Sequence, residues 1–111
     1  MDSGFYAENE LQDGIKLLEK ASNLGSAYAM ETLGFIYTSL FGDYESSIFW
    51  YEKACERGYP SAYKSLGDLY YYSYNEDFPH DYKKAFELYS KGAELGDASC
   101  LYMLASFYGI K

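Results

Sequence analysis

The stretch Asp81-Tyr-Lys-Lys-Ala85-Phe-Glu-Leu-Tyr89-Ser-Lys-Gly92-Ala-Glu-Leu-Gly96-Asp-Ala98 decides the fold. Its small and apolar residues, Ala85, Phe86, Tyr89, Gly92 and Ala93, return at steps of three and four. That is the period of a helix with one buried face; a strand would alternate every second residue. Asp81 stands where an N-cap belongs, before a helix beginning at Tyr82. Gly96 closes the run, as expected where the residue past a helix end takes a positive φ that strains any side chain with a Cβ.

Outward from this stretch the pattern recurs twice. Set on Gly25, Gly58 and Gly96, three segments align: Gly14 to Tyr37, Ser47 to Tyr70, and Ala85 to Tyr108. Ten residues before each glycine stand Ile15, Ile48 and Phe86; seven before, Leu18, Tyr51 and Tyr89; five before, Lys20, Lys53 and Lys91; four before, Ala21, Ala54 and Gly92. Four after come Ala29, Ala62 and Cys100; eight after, Leu33, Leu66 and Leu104; nine after, Gly34, Gly67 and Ala105; twelve after, Tyr37, Tyr70 and Tyr108. Each unit therefore reads as a helix, a tight turn at the glycine and a second helix. Self-similarity at this period predicts a solenoid in which each hairpin packs on its neighbours.

The spacing predicts about six helices: Glu10 to Leu24, Ala27 to Leu40, Tyr44 to Arg57, Pro60 to Tyr74, Tyr82 to Leu95 and Ala98 to Tyr108. Pro60 is well placed in a first turn. Residues 1–9 are expected to be an N-terminal segment ahead of a single repeat domain, 10–111. The small residues Ala29, Ala62, Gly34 and Gly67 should let helices approach closely. Ser47 and Gly14, standing where the third unit has Ala85, should loosen the packing without changing the fold.

Read against known families, the Asp81 to Ala98 stretch resembles the Sel-one-like repeat (SLR) family, close relatives of tetratricopeptide repeats. Its Asp, Lys-Ala, Tyr, Lys, Ala, Gly and Ala fall where that family has them, and the likeness runs from about Gln12 to Tyr108. The resemblance implies an all-α fold, a right-handed α-solenoid of antiparallel hairpins, and an adaptor or scaffold role. Two loops depart from the family's inter-repeat pattern: Thr38 to Gly42 is short, and Tyr71 to His80 is extended. The array also opens on a second-type helix and closes on a first-type helix, Ala98 to Tyr108, carrying Leu101, Tyr102, Leu104, Phe107 and Tyr108. Such uncapped ends suggest self-association as a homo-oligomer, or a fragment of a longer array.

Composition narrows the partners. The 111 residues are 49% hydrophobic and 21% aromatic, with 15 Tyr and 7 Phe, and 17 acidic residues outweigh 9 basic ones for a net charge of -8. That balance disfavours nucleic acid, which calls for a basic stripe, and anionic lipid. It favours encounter with a basic partner, although acidity also serves solubility. No stretch approaches the length of a membrane span, and Met1 to Asn9 lacks a basic region followed by an apolar run, so the chain reads as cytoplasmic.

Chemistry finds little support. Cys55 and Cys100 are open to reading as a disulfide, a metal pair or a nucleophile, but each sits three or four residues from a turn glycine in a slot for small residues. A buried thiol fits best and agrees with a reducing compartment. In the cysteine-rich branch of the resembled family, cysteines at about these positions pair within one hairpin. Here Ala62 and Ala93 occupy the partner places, which weakens the alternative of a β-lactam-binding hydrolase. His80, beside Asp81 and near Glu76 and Asp77, is one loop histidine, short of the ligands zinc or calcium asks for. No phosphate loop, serine elbow or catalytic carboxylate pair stands in a supporting context. No enzyme, metal or cofactor is expected.

In tetratricopeptide-like hairpins the first-type helices line the concave face, and the resemblance carries this onto positions three, six, ten and thirteen or fourteen after each glycine. These are Tyr28, Glu31, Phe35 and Thr38; Ser61, Lys64, Asp68, Tyr71 and Tyr72; and Ser99, Tyr102 and Ser106. The expected partner-binding set is Tyr28, Glu31, Phe35, Lys64, Asp68, Tyr71, Tyr72 and Tyr102. Exposed aromatic anchors with a few charges suit a peptide or protein partner. Phe35 and Tyr71 could alternatively pack against neighbouring helices.

Overall fold

The computed structural model describes the backbone of residues 3–73 and 75–109, with side chains from Asn9 onward. Among the described residues six helices follow in order: α1 (Ser3–Asn23), α2 (Ala27–Phe41), α3 (Tyr44–Glu56), α4 (Pro60–Tyr71), α5 (Tyr82–Glu94) and α6 (Ala98–Phe107). Helix α1 begins well before the expected Glu10. Helix α4 stops at Tyr71, short of the expected Tyr74, which lies outside the described residues.

The three aligned glycines make one kind of turn. Gly25, Gly58 and Gly96 all have positive φ, at 102°, 75° and 93°. At each, two backbone bonds close the helix end. The Gly58 N–H donates to the Cys55 carbonyl at 2.8 Å and the Tyr59 N–H to Ala54 at 3.3 Å. The same pair recurs as Gly25 to Ser22 with Ser26 to Ala21, and as Gly96 to Ala93 with Asp97 to Gly92. This is the Schellman motif, and it satisfies carbonyls that a helix end leaves open. The residue that completes two of these turns also starts the next helix: Ser26 and Asp97 accept from the N–H groups of Ala29 and Cys100. Asp43 and Asp81 cap α3 and α5 in the same way, the latter as expected. Helix α4 lacks a side-chain cap and begins instead with Pro60.

The closest pairs are α2 with α3 and α4 with α5, so the tight hairpins are those joined by the variable loops, while the glycine turns link one hairpin to the next. The cause lies in two glycines. A Cβ on Gly34 would stand 2.5 Å from Tyr51 Cδ1, and one on Gly67 would stand 2.7 Å from Tyr89 Cε1. Each tyrosine of a second-type helix thus lies flat on bare backbone of the helix before it. One core gathers Met30, Tyr51, Ala54, Ala62, Leu66 and Leu69; a second, Ala85, Tyr89, Cys100 and Met103. Tyr108, aligned with the half-buried Tyr37 and Tyr70, is 75% exposed.

Ser47 corrects the expectation of looser packing. It is fully buried, and its hydroxyl donates to the Gly34 carbonyl at 2.7 Å and meets the Thr38 hydroxyl. The polar atom is satisfied and ties α3 to α2. The long loop after α4 is likewise built rather than loose. Asn75 Oδ1 accepts from the Asp77 N–H at 2.8 Å, the Ser73 hydroxyl meets the Phe78 carbonyl, and Phe78 is lodged between Tyr44 and Tyr70 at 4.9 and 5.1 Å.

Candidate functional site

Helices α2 and α4 lie side by side and frame two adjoining hollows, of about 530 and 420 Å3, that share Phe35, Tyr51, Lys64 and Ser65. Tyr28, Glu31, Ser61 and Ser99 join the first; Thr38, Asp68 and Tyr72 join the second. Most of the residues projected onto the concave face are therefore brought together. Tyr28 and Phe35 are large aromatic side chains, 69% and 62% exposed. Tyr72 stands at the far end of α4.

Three of the projected residues, Tyr71, Tyr102 and Ser106, line neither hollow. Tyr71 turns into the second core, its ring 5.3 Å from Tyr82 and 5.6 Å from Phe107 and in reach of Tyr89. Its ring is taken up by packing because α5 and α6 converge on the last turn of α4. Tyr102 is 67% exposed on α6 but lines neither hollow.

The polar groups of the groove are held in fixed positions. Glu31 Oε2 accepts from the hydroxyls of Ser61 at 2.7 Å and Ser65 at 2.9 Å, which ties α2 to α4 across the groove. Lys64 Nζ lies 2.8 Å from one oxygen of Asp68, and the other accepts from the Tyr89 hydroxyl at 2.6 Å. The bond to Asp68 holds the Lys64 ammonium above its ordinary pKa. Burial, with Asp68 beside it, pushes the Tyr89 hydroxyl far above the ordinary tyrosine range. Burial and the nearby Glu31 push Tyr51 up to about 12. Both phenols stay protonated near neutral pH, and the Tyr89 hydroxyl is the donor to Asp68.

The projection missed Tyr51, Thr32 and Ser65 among the lining residues, and Ser39, Tyr44 and Leu69 of the second hollow as well. Tyr51 packs in the core and also lines both hollows. Thr32 and Ser65 each fall seven after a turn glycine, one helical turn beyond Tyr28 and Ser61, so extending the face by four residues finds them.

Cys55 and Cys100 are free and buried, and burial pushes both thiols up to about 12, far from the thiolate that reactivity demands. His80 Nδ1 lies 2.9 Å from the Tyr71 carbonyl, and its ring stacks on Tyr82 at 5.3 Å. Among the described residues no helix is long and apolar enough to cross a membrane.

The Sel1 repeat family model matches residues 4–26, 27–59 and 60–97, with boundaries at the glycine turns. The fold superimposes on a Sel1 repeat protein from Oxalobacter formigenes with a TM-score of 0.76 at 30% identity, over 85% of this chain and 39% of that one. It also superimposes on c5321, a protective antigen of uropathogenic Escherichia coli strains displaying an SLR fold, with a TM-score of 0.74 at 26% identity, over 85% of this chain and 21% of that one. The chain thus spans well under half the length of either structure. No curated protein matches the sequence. With the repeat model covering most of the chain, and six helices in the SLR solenoid arrangement, the chain belongs to the Sel1 repeat family.

Proposed function

We propose that this chain is a non-enzymatic protein-interaction adaptor that receives a partner segment along the α2–α4 groove. Sel1 repeats are generally protein-interaction scaffolds, which sets the class. The observation that carries the groove reading is the pairing of two exposed aromatic rings, Tyr28 and Phe35, with a hollow whose polar side chains are already fixed by one another. Pre-set donors and acceptors lower the ordering cost of binding, and exposed rings supply apolar area for a partner to cover. The rival reading, a β-lactam-binding hydrolase, rests on cysteines that here are unpaired and buried. The same unpaired thiols favour a cytoplasmic location.

The test is capture of partners on the tagged chain beside a Tyr28→Ala/Phe35→Ala double variant. Because both rings are mostly exposed, the variant should keep its helicity and melting temperature while losing the partner. A partner retained at full strength by the folded variant would move the binding surface off this groove.

A further inference from the structure

Resting on the groove reading, we infer that the occupant presents an arginine or lysine beside an apolar side chain, its cation entering between Tyr28 and Phe35 to meet Glu31. The three residues stand at i, i+3 and i+7 on α2, one face of a helix, and all three line the same hollow. A carboxylate flanked by two exposed aromatic faces is the chemistry that recognises a cation: the ring quadrupoles attract it and the carboxylate pairs with it. Ser61 and Ser65 hold Glu31 from the α4 side, so its charge is fixed in the groove and does not swing into solvent.

The remaining charges of the groove agree. Lys64, the one cation among the described lining residues, is paired with Asp68 at 2.8 Å, so its charge is already offset. An acidic segment would meet Glu31 and Asp68 with no unpaired cation to answer it. The whole chain, at -8, adds to that repulsion and steers basic segments inward.

The experiment is selection of short randomised peptides on the full chain, followed by affinity measurement on the wild type, Glu31→Gln and Tyr28→Ala/Phe35→Ala. Gln retains an oxygen for the two serine hydroxyls, so Glu31→Gln removes the charge and leaves the α2–α4 tie. We expect selected peptides to share an Arg or Lys next to an apolar residue. Their affinity should fall about tenfold or more in Glu31→Gln, the loss of one charged hydrogen bond. It should also weaken as salt rises. Peptides that need Tyr28 and Phe35 but lack a shared cation, or that bind Glu31→Gln equally well, would overturn the cation inference and leave the groove reading standing. Selected peptides indifferent to the double variant would overturn both.

Discussion

At Gly92 an added methyl group would strike the Cys100 sulfur and come within 3.0 Å of Tyr63 Cβ. In the first two repeats the same slots hold Ala21 with Ala29 and Ala54 with Ala62; in the third, one partner has shrunk to Gly and the other has grown to Cys. The contact was legible as two separate substitutions in the alignment, but their compensation was not, because sequence offsets do not show which helix faces meet. Gly92→Ala should therefore destabilise the fold by about 1–3 kcal/mol through overpacking. Gly92→Ala combined with Cys100→Ala should recover most of that, since the pair recreates the other repeats. Urea unfolding of the two single variants and the double variant gives the coupling directly, and strictly additive effects would show that the two positions do not share a contact.

At the scale of elements, the sequence was most readable where one residue type answers one backbone demand. The positive φ at Gly25, Gly58 and Gly96, the Asp81 cap and Pro60 in the first turn of α4 all fell where the pattern put them. The end of α4 did not, because helical periodicity in Tyr70, Tyr71 and beyond is overridden by a tertiary contact. Phe78 folds back onto Tyr44 and Tyr70, and Asp81 N–H donates to the Tyr70 carbonyl at 3.0 Å, which draws the chain away from the helix axis. Nothing in local spacing signals a ring arriving from a loop. Phe78→Ala should cost about 2 kcal/mol, roughly half the value for a fully buried Phe because this ring is half-buried. Hydrogen exchange should quicken in residues 75–81 and the last turn of α4 while α2 is unaffected. Unchanged stability would show that the loop is held by its own turn bonds alone.

Across the whole molecule the helices build a body of 53 × 32 × 23 Å, elongated as stacked hairpins are. The two cores are strung along it by the tyrosines of α3 and α5, each of which reaches past a glycine of the preceding helix. This arrangement has a consequence for the groove. Tyr51 packs its ring in the core while lining both hollows, and Tyr89 packs its ring in the second core while its hydroxyl donates to Asp68, so the groove is tied to both cores. The repeat was legible end to end, and Tyr28, Glu31, Phe35, Lys64 and Asp68, projected from it, all line the two hollows between α2 and α4. The departure of Tyr71 was not, since it depends on α5 and α6 meeting at one corner.

The most direct measurement of the central claim, that this face receives the partner, is site-specific photo-crosslinking of the captured complex from two positions. Thr32 lines the groove, and Phe49 is exposed on α3 without lining it. A partner that crosslinks from position 32 and not from position 49 is the predicted result. Crosslinking from position 49 alone would contradict it and place recognition on the outer helices.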